Sequence, residues 1–332
     1  MTLKTLNHIL SKFQNLAILV IGDYFLDRYL ITDPDLAETS IETGLEARQI
    51  VAIRNQPGAA GTITSNLCAL GIGHVYALGI IGRDGQGYDL KQGLRATGVD
   101  ITHLIETPDR FTPTYTKPIN KKTGAEMERL DIKNRTPLPL DLENQLIKTL
   151  HNLLPQVDGV IALDQVQEPN CGVLTDRVVA ELAKLAKTHP NTTCFADSRT
   201  RITNFKNIIL KANRDEAIHA TEERDLNQCA RIFSQRTGKP VFITLGPDGI
   251  LVANNENLTH IPGIKVPLPI DIVGAGDSVS ASVVSALCAG ASLSDAAQIG
   301  VLASSITIQQ IGTTGTASPE QIAKRFRDTQ TS

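Results

Sequence analysis

A chain of 332 residues, 41% of them hydrophobic, is long enough to bury a large core, and its length suits either two domains or one large α/β domain. A formal net charge of −3 gives no global positive field, which argues against nucleic acid or an anionic membrane as partner, and no stretch has the length of a membrane span. Five cysteines without a Cys-x-x-Cys pair argue against a disulfide framework or a zinc site; with no signal-peptide core in residues 1–14, they lead to the expectation of a cytoplasmic protein.

Residues 1–14 carry Leu and Ile at helical spacing, and residues 17–22 (AILVIG) form the unbroken apolar run of a buried strand. That strand ends in Gly22-Asp23, with Asp27 following. The carboxyl ends of strands line the ligand crevice of an open α/β sheet, so Asp23 and Asp27 are candidates to meet a polar substrate; solvated loop acids would look the same. Residues 28–56 break the pattern with Pro34, three acids between Asp33 and Glu38, and a strand-like period over 47–53. A second excursion, 111–130, sets Pro113, Pro118, Lys121, Lys122 and Gly124 around strand-like pieces at 114–119 and 125–130. Two insertions from one edge predict a small accessory sheet, placed to act as a lid that excludes water.

Between the excursions, residues 56–61 (QPGAAG) open a predicted helix to Leu70, small residues allowing close backbone approach. A strand over 74–81 then leads through residues 82–87 (GRDGQG) to a helix carrying Leu90 and Leu94, which Gly98 closes as a left-handed cap. Helix 140–154, strand 159–164, helix 174–188 and strands 193–197 and 208–211 follow, and Asp164 and Asp197 fall at strand ends facing the same crevice. Asn213 and Glu216 have capping-box spacing at the start of the next helix. The same two oxygens suit a water-bridged Mg²⁺, and the two roles are compatible. Strand 241–245 ends in Gly246-Pro247-Asp248-Gly249 before a strand-like 250–253; the glycines read as a hairpin turn, or as the border of a nucleotide if they lie beside the loop at 271–277.

That loop reads Asp-Ile-Val-Gly-Ala-Gly-Asp. Residues 270–273 have the β-branched content of a short strand, Gly274-Ala275-Gly276 makes a small-residue turn, and 278–289 is a predicted helix with Val279, Val283 and Leu287 on one stripe. A helix start leaves N–H groups unpaired and carries partial positive charge, so a bare loop lets a phosphate approach. Asp277 would repel that phosphate unless it had a task such as accepting a proton, whereas a plain glycine-rich N-cap is the simpler reading of the loop alone. The strand–helix alternation as a whole predicts a mostly parallel sheet covered on both faces.

In combination these residues resemble the ribokinase-like carbohydrate kinases, the PfkB family, over roughly residues 18–319, with the flavour of heptose-phosphate kinases. Residues 271–277 are similar to the family's second signature, with Ile272 for the usual Thr, and residues 82–87 with Leu94, Gly98 and Val99 to the downstream half of the first. Asn213-x-x-Glu216 is similar to its metal-associated motif, and Thr244-Leu245-Gly246 with Gly249 to its nucleotide-side turn. The resemblance implies one ribokinase-like α/β domain over 1–332, a three-layer α/β/α fold with a mostly parallel central sheet and a small β-sheet lid built from about 28–56 and 111–130. It implies an ATP-dependent phosphotransferase acting on a hydroxyl of a sugar or sugar phosphate.

In that scheme Asp277 is the base and the N–H groups of Gly274, Ala275, Gly276 and Asp277 form an anion hole. Asn213, Thr244, Gly246 and Gly249 lie on the ATP side, Asn213 and Glu216 organise Mg²⁺, and Asp271 with carbonyls around 308–315 holds a monovalent cation, K⁺. Asp27 binds a sugar hydroxyl with Asp23 assisting, beside Gly58, Ala59 and Thr62. Here the sequence departs from the family, which usually has Gly at Ala59 and Asn at Thr62; Thr lacks an amide's paired donor and acceptor, so acceptor identity is open. Arg83, Lys117, Lys121, Lys122 and Arg129 near the lid are candidates for a second anion, or plain solvated cations. A nucleoside kinase is the rival enzyme, weakened by 4% aromatic content; a silent sensor is weakened by the intact Asp277. Some relatives pair their lid sheets, which admits a homodimer.

Overall fold

A computed structural model describes residues 1–255 and 257–330. Helix α1 (Leu3–Leu10) precedes β1 (Ala17–Gly22), β2 (Tyr24–Thr39), β3 (Glu46–Ala59), α2 (Ala60–Ala69), β4 (His74–Gly82), α3 (Gly85–Ala96) and β5 (Leu104–Thr107). The middle of the chain forms β6 (Thr114–Asn120), β7 (Leu130–Ile132), α4 (Leu140–Leu153), β8 (Gly159–Asp164), α5 (Asp176–Thr188), β9 (Thr193–Ser198), β10 (Ile209–Asn213), α6 (Arg214–Thr221) and α7 (Leu226–Thr237). Then come β11 (Val241–Thr244), β12 (Ile250–Asn254), β13 (Asn257–Ile261), α8 (Ala275–Cys288), α9 (Leu293–Thr307) and α10 (Pro319–Gln330).

The large sheet has the order β13-β12-β11-β10-β9-β8-β1-β4-β5. Neighbours from β11 through to β5 run parallel, and the β12 and β13 pairings are antiparallel. Alternate residues of each strand feed different cores. Val20 and Ile161 face Ile63, Leu67, Val283 and Leu302 of α2, α8 and α9, whereas Leu19 and Val160 face Leu146, Leu182 and Phe233 of α4, α5 and α7. Burial on both faces is why these strands read as unbroken apolar runs. The result is the expected three-layer α/β/α architecture. Among the described residues, no helix is long and apolar enough to cross a membrane.

The two excursions join in a second sheet of order β3-β2-β6-β7, in which β2 pairs antiparallel with β3 and parallel with β6. Two boundaries differ from the pattern reading. Residues 56–59 finish β3 instead of opening the helix, because Ala59 at φ 52°, ψ −117° reverses the chain and α2 starts only after it. Residues 125–130 do not form the fourth strand. Gly124 at φ 70° turns the chain, Glu126 makes a single bridge to Ile119, and β7 pairs further on.

In β1, which pairs with β8, a Cβ at Gly22 would overlap the carbonyl oxygen of Leu163. Gly22→Ala must therefore separate the two strands that deliver Asp23 and Asp164. We expect a loss of about 1–3 kcal/mol or more in urea unfolding; unchanged stability would show that the strands separate without cost.

Candidate active site

The carboxyl ends of β8, β9 and β10, the start of α8 and the base of the small sheet enclose one cleft of about 530 Å³. Asp27, Ala59, Thr62, Asn213, Glu216, Gly274, Gly276 and Asp277 all line it. The parallel sheet explains this convergence, since each strand ends on the same side before its helix begins.

The start of α8 is built by Gly274, whose φ of 80° turns the chain where a Cβ would press on the methyls of Thr62 and Thr314 at 3.3 Å. The preceding residues 270–273 are not the predicted strand. Ile272 and Val273 are exposed, and Asp271 fixes the segment from its own side chain and backbone. The Asp271 N–H donates to Ile308 O at 2.8 Å, and its carboxylate accepts from Val273 N at 3.1 Å and Gly312 N at 3.0 Å. Asp271 thus ties two loops together. The Ala275 N–H is not free either, since it donates to Ile272 O at 3.1 Å. Among the described residues, the N–H groups of Gly274, Gly276 and Asp277 have no partner, and Ser278 N closes the first helical bond to Gly274 O.

Asp277 stands in this first turn. Burial and the neighbouring carboxylates of Asp197 and Asp27 push its carboxyl up to about 7, against the pull of Lys211 and Arg199. Asp27 is 8% exposed, and burial raises its carboxyl despite Lys117, whose Nζ lies 3.8 Å away. Gly58 makes room for it, because a Cβ there would come 2.6 Å from Asp27 Oδ2. Thr62 turns its hydroxyl to Pro57 O at 3.4 Å and its methyl toward Gly274.

Asp23 does not share in this cleft. It is 3% exposed, lines the adjoining cavity, and accepts the N–H groups of Gln165 at 2.9 Å, Val166 at 3.0 Å and Val173 at 2.8 Å. Its oxygens clamp the loop after β8. Asp164 and Asp197 do line the cleft. Burial and the charge of Asp23 raise Asp164 to about 6, while Arg201 and Ser198 bind it.

Asn213 and Glu216 form the capping box in full: Asn213 Oδ1 accepts Glu216 N at 2.9 Å, and Glu216 Oε2 accepts Asn213 N at 2.7 Å. One carboxylate oxygen is left over beside the cleft. A single carboxylate with an amide fits Mg²⁺, which keeps most of its water and binds through few protein oxygens. Thr244 sits beside Asn213 in the β10–β11 register, and Gly246 and Gly249 make the β11–β12 turn. Gly249, at φ 99°, packs where a Cβ would overlap the Ile261 carbonyl, so the hairpin reading of these glycines holds. Of the five lid cations, Lys117 and Arg129 line the cleft, Lys121 and Lys122 pair with Asp33 and Asp35, and Arg83 lies outside it.

A model of the pfkB family carbohydrate kinases matches residues 29–321. The chain belongs to the pfkB family of carbohydrate kinases. It is 28% identical over 327 residues to the bifunctional protein HldE of Trichlorobacter lovleyi, covering 96% of this chain and 64% of that protein. For the HldE of Caulobacter vibrioides the identity is 29%, with 93% and 63% covered. The chain therefore spans less than two thirds of these relatives' length. In fold it resembles phosphofructokinase-2 from Escherichia coli in complex with potassium (TM-score 0.72, 20% identity, 95% of this chain and 99% of that one). It also resembles Arabidopsis thaliana ribokinase complexed with ribose and ATP (TM-score 0.70, 17% identity, 94% and 99%).

This family member also brings Lys211, Arg199 and Tyr115 into the cleft, which pattern reading did not single out. Lys211 had a signal: it is a charge inside the apolar run of residues 208–212 (IILKA), an arrangement a buried strand tolerates only with a partner. The raised carboxyl of Asp277 has a stability consequence. The folded state binds that proton more tightly than the unfolded chain, so ionisation costs stability from the ordinary carboxylate range up to about 7 and in full above it. Asp277→Asn should therefore raise the melting temperature over the parent at pH 8, and the advantage should shrink toward pH 5. An equal effect at both values would contradict the raised carboxyl.

Proposed function

We propose that this chain transfers the terminal phosphoryl group of ATP to a hydroxyl of a sugar or sugar phosphate, with Asp277 as the base. The observation that carries this is a carboxyl held near neutrality, at about 7, in a helix start whose Gly274, Gly276 and Asp277 N–H groups are unpaired. A base works best when its proton affinity matches the operating pH. The acceptor lies between Asp27 and Asp277, its hydroxyl donating to the Asp277 carboxylate, which takes the proton as the oxygen attacks. The unpaired N–H groups face the phosphoryl oxygens, where charge spreads in a loose transition state that needs positioned dipoles more than covalent help.

ATP lies toward Asn213 and the turn of Thr244, Gly246 and Gly249. Asn213 and Glu216 hold Mg²⁺, which when bound shields the nucleotide phosphates. K⁺ in the loop that Asp271 ties is supported by the potassium complex of the structural relative. Lys117, Arg129 and Arg199 on the cleft wall suit a phosphorylated acceptor; fructose-6-phosphate is bound in another structure of the E. coli phosphofructokinase-2 fold. Thr62 presents a methyl where the family's usual Asn presents an amide, so the acceptor is held mainly from the Asp27 side. Exposed Leu36 and Ile53 on the small sheet, with Ile41 and Leu45 in its β2–β3 turn, support the proposal that two lids pair in a homodimer.

Phe25 and Tyr115, with ring centroids 5.0 Å apart on the cleft wall, keep a nucleoside acceptor in the comparison. The test is ATP consumption with Mg²⁺ and K⁺ over sugars, hexose and heptose phosphates and nucleosides. One of the first three classes should stimulate turnover. If none does, yet a ligand raises the melting temperature, the chain is a sensor. With the acceptor in hand, Asp277→Asn should lower kcat by a factor on the order of 10²–10⁴ while ATP still binds; near-normal kcat contradicts the assignment.

A further inference from the structure

We propose that Lys211 is a positioning charge for this cleft: anchored by Asp197 and laid against the second residue of α8, its ammonium sets how readily Asp277 accepts a proton. The proposal takes its significance from Asp277 as base and rests on that reading.

Lys211 is 5% exposed on the central strand β10. Its neighbours Leu210 and Ala212 face the α4–α5–α7 core, which turns Lys211 to the other side of the sheet, above α8. There its Nζ donates to Asp197 Oδ2 at 2.7 Å, and Ser280 of α8 donates to the same oxygen at 3.1 Å. One carboxylate oxygen thus joins β9, β10 and α8. The ammonium then meets Gly276, where a Cβ would lie 2.9 Å from Nζ. Any side chain at 276 would push the cation away from the helix start, so the glycine serves the lysine as well as an approaching phosphate.

Burying an ammonium without a counter-charge is costly enough to neutralise it. Burial does pull Lys211 down, but Asp197, Glu216 and Asp277 outweigh it and hold the ammonium above its ordinary value. The groups facing Asp277 are Asp197 from β9, Lys211 from β10, Arg199 just beyond β9 and Asp27 from β2, with the α8 terminus itself. Arg199 is exposed and rests against the Gln165 amide at 3.1 Å, while Lys117 faces Asp27 and Arg129 pairs with Asp131. Among the described residues lining the cleft, Lys211 is therefore the buried cation. Asp197 and Lys211 act on Asp277 with opposite sign from a fixed pair. Asp197 is buried too, so Lys211 and Asp197 neutralise each other, and both charges bear on Asp277.

The test needs neither ATP nor an acceptor. The full chain is prepared with ¹³Cγ-labelled aspartate, and the Asp277 carboxyl, identified by its absence in Asp277→Asn, is titrated by NMR. Lys211→Met should raise its proton affinity about tenfold or more, as expected for loss of an opposite charge that lowers it. Asp197→Asn should lower it, and Lys211→Arg should leave it near the parent. Should Lys211→Met alone fail to fold, adding it to Asp197→Asn removes the pair together. The double variant should then bind the Asp277 proton about tenfold more tightly than Asp197→Asn alone. The proposal is overturned if the Asp277 titration is unmoved by Lys211→Met, or if both single variants move it the same way. An Asp277 that shifts as expected in a chain for which no acceptor is found would leave the charge arrangement standing and count against its use in phosphoryl transfer.

Discussion

An α-helix start attracts anions, and in this fold a carboxylate stands in it. Among the described residues the N–H groups of Gly274, Gly276 and Asp277 are unpaired and would suit a phosphate, while the Asp277 side chain would repel one at full charge. Burial and two further carboxylates lessen the conflict by raising the Asp277 carboxyl to about 7. If Asp277 is the base, as proposed, the proton it exchanges is the quantity on which much of the sheet's carboxyl edge bears.

The parallel sheet supplies the polar groups, since strands that all end on one rim bring Asp164, Asp197 and Asn213 together. Each is then fixed by its own partner. Arg201 holds Asp164, Lys211 holds Asp197, and the capping box holds Asn213 and Glu216. Opposite them the small sheet brings Asp27 and Lys117. The junction is strained: Ala59 adopts φ 52°, a region that ordinarily costs a non-glycine residue about 1–3 kcal/mol. That strain lies where the sequence departs from the family's usual glycine, on the cleft wall that also carries Thr62.

Much of this was legible in the sequence. The unbroken run at residues 17–22, the glycine turn at 274–276 and the Asn213–Glu216 spacing are local patterns, and local patterns suffice to place a strand, a helix start and a cap. What failed was set by partners distant in the chain. Ile272 and Val273 have strand-like side chains, but Asp271 bonds to Ile308 and Gly312 hold the segment instead. Asp23 sits at a strand end like a ligand, yet residues 165–173 take up its oxygens. Lys211 was visible only as an oddity in an apolar run, because its reason lies on β9 and α8.

The central claim is that the start of α8 receives the transferring phosphoryl group beside Asp277. A crystal structure with a non-hydrolysable ATP analogue and Mg²⁺ tests it most directly. The account predicts γ-phosphate oxygens within hydrogen-bond distance of the Gly276 and Asp277 N–H groups, with the metal on the Asn213–Glu216 side. A γ-phosphate bound away from the α8 terminus, with those N–H groups facing only water, would contradict it.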